Sequence, residues 1–87
     1  MSTGTGALQV SVISPEATLF EGAAPAVTAP AFDGEVGILP SHAPMVTTLG
    51  KGTLRIGDGS TSFEVEGGFL QVVDDVVRVV TERAVRN

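Results

Sequence analysis

Apolar and polar residues alternate along most of this chain with a period of two rather than 3.6. In Leu8-Gln9-Val10-Ser11-Val12 the apolar side chains fall on one face and the polar ones on the other, which predicts a half-buried strand. Ser14-Pro15-Glu16 interrupts that run, and residues 17–22, with Leu19 and Phe20, predict a second strand. Pro25 and Pro30 fence residues 23–29; proline cannot donate to a ladder, so this segment reads as a strand at a sheet edge. Residues 36–39 and 45–49 predict two more strands. Thr53-Leu54-Arg55-Ile56 and Ser62-Phe63-Glu64-Val65-Glu66 alternate clearly, and Gly57-Asp58-Gly59 between them supplies the positive φ that a hairpin loop needs. Residues 69–73 and 76–80 predict a last hairpin turned at Asp74-Asp75, with Gly67-Gly68 marking a bulge or corner ahead of it. No ten residues keep a helical period without glycine or proline breaking it. The fold class that follows is all-β: a single β-sandwich or flattened barrel of about nine to ten short strands. Leu8, Val10, Val12, Leu54, Ile56, Phe63 and Val65 are expected to point into its core.

The segment Gly34-Glu35-Val36-Gly37-Ile38-Leu39-Pro40-Ser41-His42-Ala43-Pro44 stands apart from this pattern. It holds two prolines and the only histidine. Proline fixes φ and turns the preceding residue away from helix, so a short strand must give way here to a compact, rigid turn. Gly34, Gly37, Pro40 and Pro44 are expected to shape that turn, which presents His42 and, from the start of the strand, Glu35.

At 87 residues the chain makes one domain, near the lower size at which a single core folds unaided. It has no cysteine, which removes disulfides and thiolate metal sites. A net charge of -5 disfavours nucleic acid and anionic lipid as direct partners, because both reward clustered lysine and arginine. No segment approaches the roughly 18–20 apolar residues of a membrane span, so direct membrane insertion is not expected. Residues 1–6 lack the basic and apolar regions of a secretory signal and read as a flexible lead-in to a domain over residues 7–87.

Catalytic chemistry has few candidates. Asp33, Ser41 and His42 contain the residue types of a triad, but adjacent serine and histidine side chains on extended backbone point apart, and no nucleophile elbow is present. Asp33, Glu35 and His42 are equally weak as a metal site, since lone carboxylates near a turn are usually solvated. Gly50-Lys51-Gly52-Thr53 is not a phosphate loop: Gly52 stands where a hydroxyl residue must follow the lysine, and Met45 stands where the first glycine belongs. Arg78, inside Val76-Val77-Arg78-Val79-Val80, is either a snorkelling side chain on an outer face or an interface arginine. His42, by its chemistry alone, is more often an ordinary turn histidine than a contact.

The segment at 34–44 resembles the Gly-Glu-(apolar)-Gly-(apolar)-Leu-Pro-Gly-His-Ala-Pro signature of the ε subunit of F-type ATP synthases, with Ser41 where that family commonly has glycine. Phe20-Glu21-Gly22, Gly52-Thr53-Leu54-Arg55-Ile56, Gly67-Gly68-Phe69-Leu70-Gln71-Val72 and Thr81-Glu82-Arg83-Ala84 are similar to further family motifs in the same order. The resemblance implies the family's N-terminal β-sandwich, leaving the domain at residues 81–84. It implies a non-catalytic rotor subunit without cofactor or metal, seated between the γ subunit and the c-ring, coupling ion flow to ATP synthesis. Glu35 matches the family's contact with the polar loops of the c-ring; Ser14, His42 and Thr47 match positions facing γ. The implied location is peripheral, on the cytoplasmic face of the bacterial plasma membrane. The helical hairpin that follows the sandwich in most members is absent from this sequence, so ATP binding is not expected. A different class of function is a stand-alone β-sandwich that recognises a small ligand with its 34–44 loop, although four phenylalanines and no tyrosine or tryptophan supply little aromatic wall for one.

Overall fold

The computed structural model describes residues 7–87; the lead-in expected at 1–6 lies outside them. The strands are β1 (Leu8–Ile13), β2 (Thr18–Ala24), β3 (Val27–Ala31), β4 (Gly34–Ile38), β5 (Met45–Thr48), β6 (Lys51–Ile56), β7 (Thr61–Val73) and β8 (Val76–Arg86). They form one continuous sheet in the order β2-β1-β8-β7-β6-β3-β4, with β5 on β7. All neighbours are antiparallel except β1 and β8, which run parallel.

That single sheet becomes two layers because its two longest strands bend. The first half of β7 pairs with β6, from Thr61↔Ile56 to Glu66↔Lys51, and the second half pairs with β5, from Phe69↔Thr48 to Val72↔Met45. β8 follows β7 through both halves but meets β1 only over residues 76–80. One layer is therefore β4-β3-β6-β7-β8 and the other is β2-β1-β8-β7-β5. Eight strands, two of them counted in both layers, give ten strand segments, and both layers contribute to one core.

The bend sits at Gly67-Gly68, with φ values of 74° and 101°. Phe63 and Val65 are buried before it, and Leu70 and Val72 after it, so the inward parity of β7 changes at the corner. β8 changes parity opposite: Val77, Val79 and Thr81 are buried, whereas Ala84 is the next residue to pack on the core. Thr81 is the one buried polar residue among those described. Its hydroxyl lies 2.9 Å from the Arg83 carbonyl and 3.1 Å from the Gly67 carbonyl, and it accepts from the Arg83 amide at 3.3 Å. These bonds satisfy backbone groups that the bend takes out of the ladder.

All seven core residues expected from the alternation are buried, none more than 4% exposed. Three strand readings are corrected. Residues 62–66 and 69–73 are one strand, since the glycine corner bends the chain without ending its pairing with β8. Residues 81–84, read as the exit from the domain, belong to the second half of β8, which runs on to Arg86 and pairs with residues 63–68. The segment fenced by prolines is not an edge: β3 lies between β6 and β4. Pro30 is tolerated because pairing with β6 covers only Val27 and Thr28, and the Pro30 carbonyl accepts from the Gly50 amide at 2.8 Å. Its missing donor thus falls where the β3–β6 ladder has already ended.

A side chain at position 68 has no room. A Cβ there would lie 2.7 Å from the Thr81 Cα and against the Val80 carbonyl, on a backbone conformation that favours glycine. Gly68→Ala is expected to cost more than about 3 kcal/mol by urea unfolding. Gly37→Ala, where nothing lies within 4 Å, is expected to stay within about 0.5 kcal/mol of the parent. Equal losses for the two would contradict the corner's role.

Candidate functional site

β4 ends at Ile38 because Pro40 has no donor with which to continue it. The His42 amide donates to the Leu39 carbonyl at 3.2 Å, closing a four-residue turn with Pro40 second and Ser41 third. Ser41 has φ 70°, so this is a type II turn, which takes proline at its second position and favours glycine at its third. Two bonds hold the turn in place. The Ser41 amide donates to Asp75 Oδ1 at 2.6 Å, and His42 Nδ1–H donates to the Ala43 carbonyl at 2.7 Å. Gly34 and Gly37 are not part of the turn. Both are β4 residues, paired in register with Ala31 and Thr28.

Glu35 sits opposite Pro30, and its carboxylate is 3.2 Å from the Arg55 guanidinium. Both side chains are about half exposed, so the pair orients Glu35 without contributing much stability. Glu35 and the Pro40–Pro44 turn do not form one surface. β4 separates them by roughly 16 Å, from five residues at strand rise. Ser14 closes the β1–β2 turn: its amide donates to the Ala17 carbonyl at 2.9 Å, and its hydroxyl reaches the same oxygen at 3.2 Å. It lies beside Phe69 and the glycine corner, whereas His42 lies at the opposite, open end near the Asp74-Asp75 hairpin. Thr47 is half-buried opposite Leu70, on the side of β5 from which Met45 packs onto the core. Asp33, Glu35 and His42 do not converge; among the described residues no three potential ligands do.

Alternation along the chain missed a larger feature. On the outer face of the β2-β1-β8-β7-β5 layer, the pairing sets Val73 beside Val76, Phe69 beside Val80, and Arg78 between Ser11 and Gln71, with Val46 next in that row. Val46 is 69% exposed, Val76 49%, Phe69 43% and Val73 40%, so exposed apolar side chains stand on both sides of a polar row, Glu21, Ser11, Arg78 and Gln71, that crosses the face. An open cleft of about 350 Å³ lined by Ile13, Pro15, Phe69 and Val80 continues it toward the glycine corner. Exposed apolar clusters rimmed by polar residues make this face a candidate for protein contact. Its signal is present in the sequence only as valine on both parities of 72–73 and 76–77, which hides which valines face outward.

The outer face of the other layer is of opposite character. Lys51, Glu66 and Arg83 occupy one cross-strand row, and Thr53, Glu64 and Val85 the next. The Thr53 hydroxyl, and then the Asn87 amide, donate to the Glu64 carboxylate and hold its pKa below the usual value. One side of the sandwich is thus charged, with Glu64 hydrogen-bonded within it, and the other carries exposed apolar clusters divided by a polar row.

Because Ser41 occupies a left-handed position, Ser41→Gly is expected to raise stability by up to about 1 kcal/mol, a few degrees in Tm. Ser41→Val is expected to lower it, since a β-branched side chain fits that region poorly. Thermal unfolding of the two variants checks both signs, and a glycine variant less stable than the parent would contradict the turn type.

Residues 7–87 match the family description "ATP synthase, Delta/Epsilon chain, beta-sandwich domain". The chain is 47% identical over 77 residues to the ATP synthase epsilon chain of Leptospira borgpetersenii, covering 86% of this chain and 61% of that one. It is 39% identical over 80 residues to the epsilon chain of Caulobacter vibrioides, covering 90% and 93%. It thus spans less than two thirds of the Leptospira relative and nearly all of the Caulobacter one. Among solved structures it is similar to a chain of the Euglena gracilis mitochondrial ATP synthase OSCP/F1/c-ring assembly, with a TM-score of 0.85 and 26% identity over 93% of this chain and 54% of that one. A chain from the Tetrahymena thermophila mitochondrial ATP synthase central stalk and c-ring shares the fold, with a TM-score of 0.76 at 17% identity over 90% and 65%. Sequence motifs, strand order and these relatives agree: the chain belongs to the ATP synthase delta/epsilon chain family, as its β-sandwich domain.

Proposed function

We propose that this domain is a non-catalytic rotor element of an F-type ATP synthase, bound to the γ subunit and touching the c-ring, so that ion-driven rotation of the ring turns the shaft. It works at the cytoplasmic face of the bacterial plasma membrane, held there by its partners. The observation that carries this reading is the apolar outer face of β5, β7, β8 and β1, in a family whose solved relatives come from c-ring and central-stalk assemblies. That face is the surface given to γ. Ser14 and His42 flank it at its two ends, and Thr47 lies on the strand that borders it. Glu35 lies on the edge strand of the other layer, where a carboxylate can meet polar loops of the ring without entering lipid. Its pairing with Arg55 keeps it extended along the surface.

An apolar cluster covered on binding loses most when charge is placed in it, whereas a rim carboxylate contributes mainly to association rate. Val46→Asp combined with Val76→Asp is expected to weaken binding to recombinant γ by about 100-fold or more, the fold intact by far-UV circular dichroism. Glu35→Gln is expected to leave γ binding unchanged and to weaken c-ring coupling modestly, with a reduced salt dependence, in ATP-driven proton pumping by reconstituted vesicles. Parent-like γ binding by the double aspartate variant would remove this face from the interface.

A further inference from the structure

The rigidity of the Pro40–Pro44 turn does not come from its prolines alone. Asp75 lies 34 residues further along the chain and touches the turn from the β7–β8 hairpin. That hairpin turns on two residues at positive φ, Asp74 at 52° and Asp75 at 64°, the geometry of a type I′ turn. In that conformation Asp75 makes two connections at once. Its carbonyl accepts from the Gln9 amide at 2.8 Å, fixing the hairpin to the start of β1, and its carboxylate accepts from the Ser41 amide at 2.6 Å. The Ser41 amide is turned outward because the type II turn puts Ser41 at φ 70°, and a charged acceptor makes the stronger class of hydrogen bond to it. Three segments remote in sequence are thus joined through one residue at the open end.

We infer that Asp75 is a positioning residue for the docking surface: its carboxylate clamps the His42-bearing turn to the hairpin that carries Val73 and Val76, so that turn and apolar face meet a partner as one preformed unit. The inference rests on the reading of that face and turn as the γ-binding surface. A turn already ordered costs less to bind than one that must be ordered on contact. The clamp belongs to the side chain, so it can be removed without disturbing the hairpin. Asp75→Gly keeps the positive φ and the carbonyl bond to Gln9, and loses only the acceptor. Asp75→Asn keeps an acceptor oxygen and tolerates the left-handed conformation.

The test is hydrogen exchange at the Ser41 amide in the isolated protein, together with the affinity for recombinant γ. In Asp75→Gly, Ser41 exchange is expected to rise about tenfold while the β7 and β8 amides keep their protection, and affinity for γ is expected to fall about five- to tenfold. Asp75→Asn is expected to restore most of both, which a loss of general stability does not predict. Unchanged Ser41 exchange in the glycine variant overturns the clamp itself. Faster exchange with unchanged affinity overturns the positioning role and removes the turn from the binding surface. A wild-type protein that fails to bind γ sinks the proposed function instead, whatever the exchange shows.

Discussion

The two-layer form depends on one close approach, that of the Gly68 backbone to Val80 and Thr81 across the β7–β8 ribbon. A 13-residue strand paired with an 11-residue one would otherwise continue as a single long twisted ribbon. With two glycines at positive φ the ribbon folds over instead, and the change of parity turns Phe63, Val65, Leu70 and Val72 toward the same interior. β6 and β5 then attach to different halves of β7, and every other strand takes its layer from that division. Thr81 completes the corner by satisfying the carbonyl and amide groups that the bend strands.

Function follows from what the fold leaves uncovered. Both outer faces are exposed, but the register sets lysine and arginine beside glutamate on one of them, and on the other sets valine beside valine or phenylalanine on either side of the Ser11-Arg78-Gln71 row. On the first face Thr53 and Asn87 donate to Glu64 and Arg55 pairs with Glu35, so part of its polar surface already has partners within the domain. Apolar area on the second would contribute about 25 cal/mol per Å² if the proposed partner covered it. The rigid turn at one end and the exposed apolar clusters along one side are the features on which the proposed assembly with other subunits rests.

Much of this was legible in the sequence, for reasons that can be named. Strict alternation in residues 8–12, 53–56 and 62–66 left only one register that buries the apolar set, so the core residues followed directly. The glycine pair announced a corner, though not that pairing persists through it, because nothing in Glu82-Arg83-Ala84-Val85 distinguishes an exit from a strand. The proline-fenced β3 misled because a missing donor argues for an edge only while the neighbouring ladder continues, and here it had stopped. Glu35 and His42 are near in sequence yet lie apart, since the extended strand β4 runs between them. The apolar face was hidden by near-continuous valine, and the bond from Ser41 to Asp75 by its 34-residue separation. Long-range geometry of that kind leaves no local trace.

Hydrogen exchange of the whole domain, free and bound to recombinant γ, decides which outer face a partner covers. Bound γ is expected to slow exchange over residues 45–48, 69–73 and 76–80, with the Ser41–His42 amides at their margin, and to leave residues 51–56 and 62–66 unchanged. Protection centred on the charged face of β6 and the first half of β7, with β5 and the hairpin around Asp75 unaffected, would contradict the placement of γ on the β1-β8-β7-β5 face.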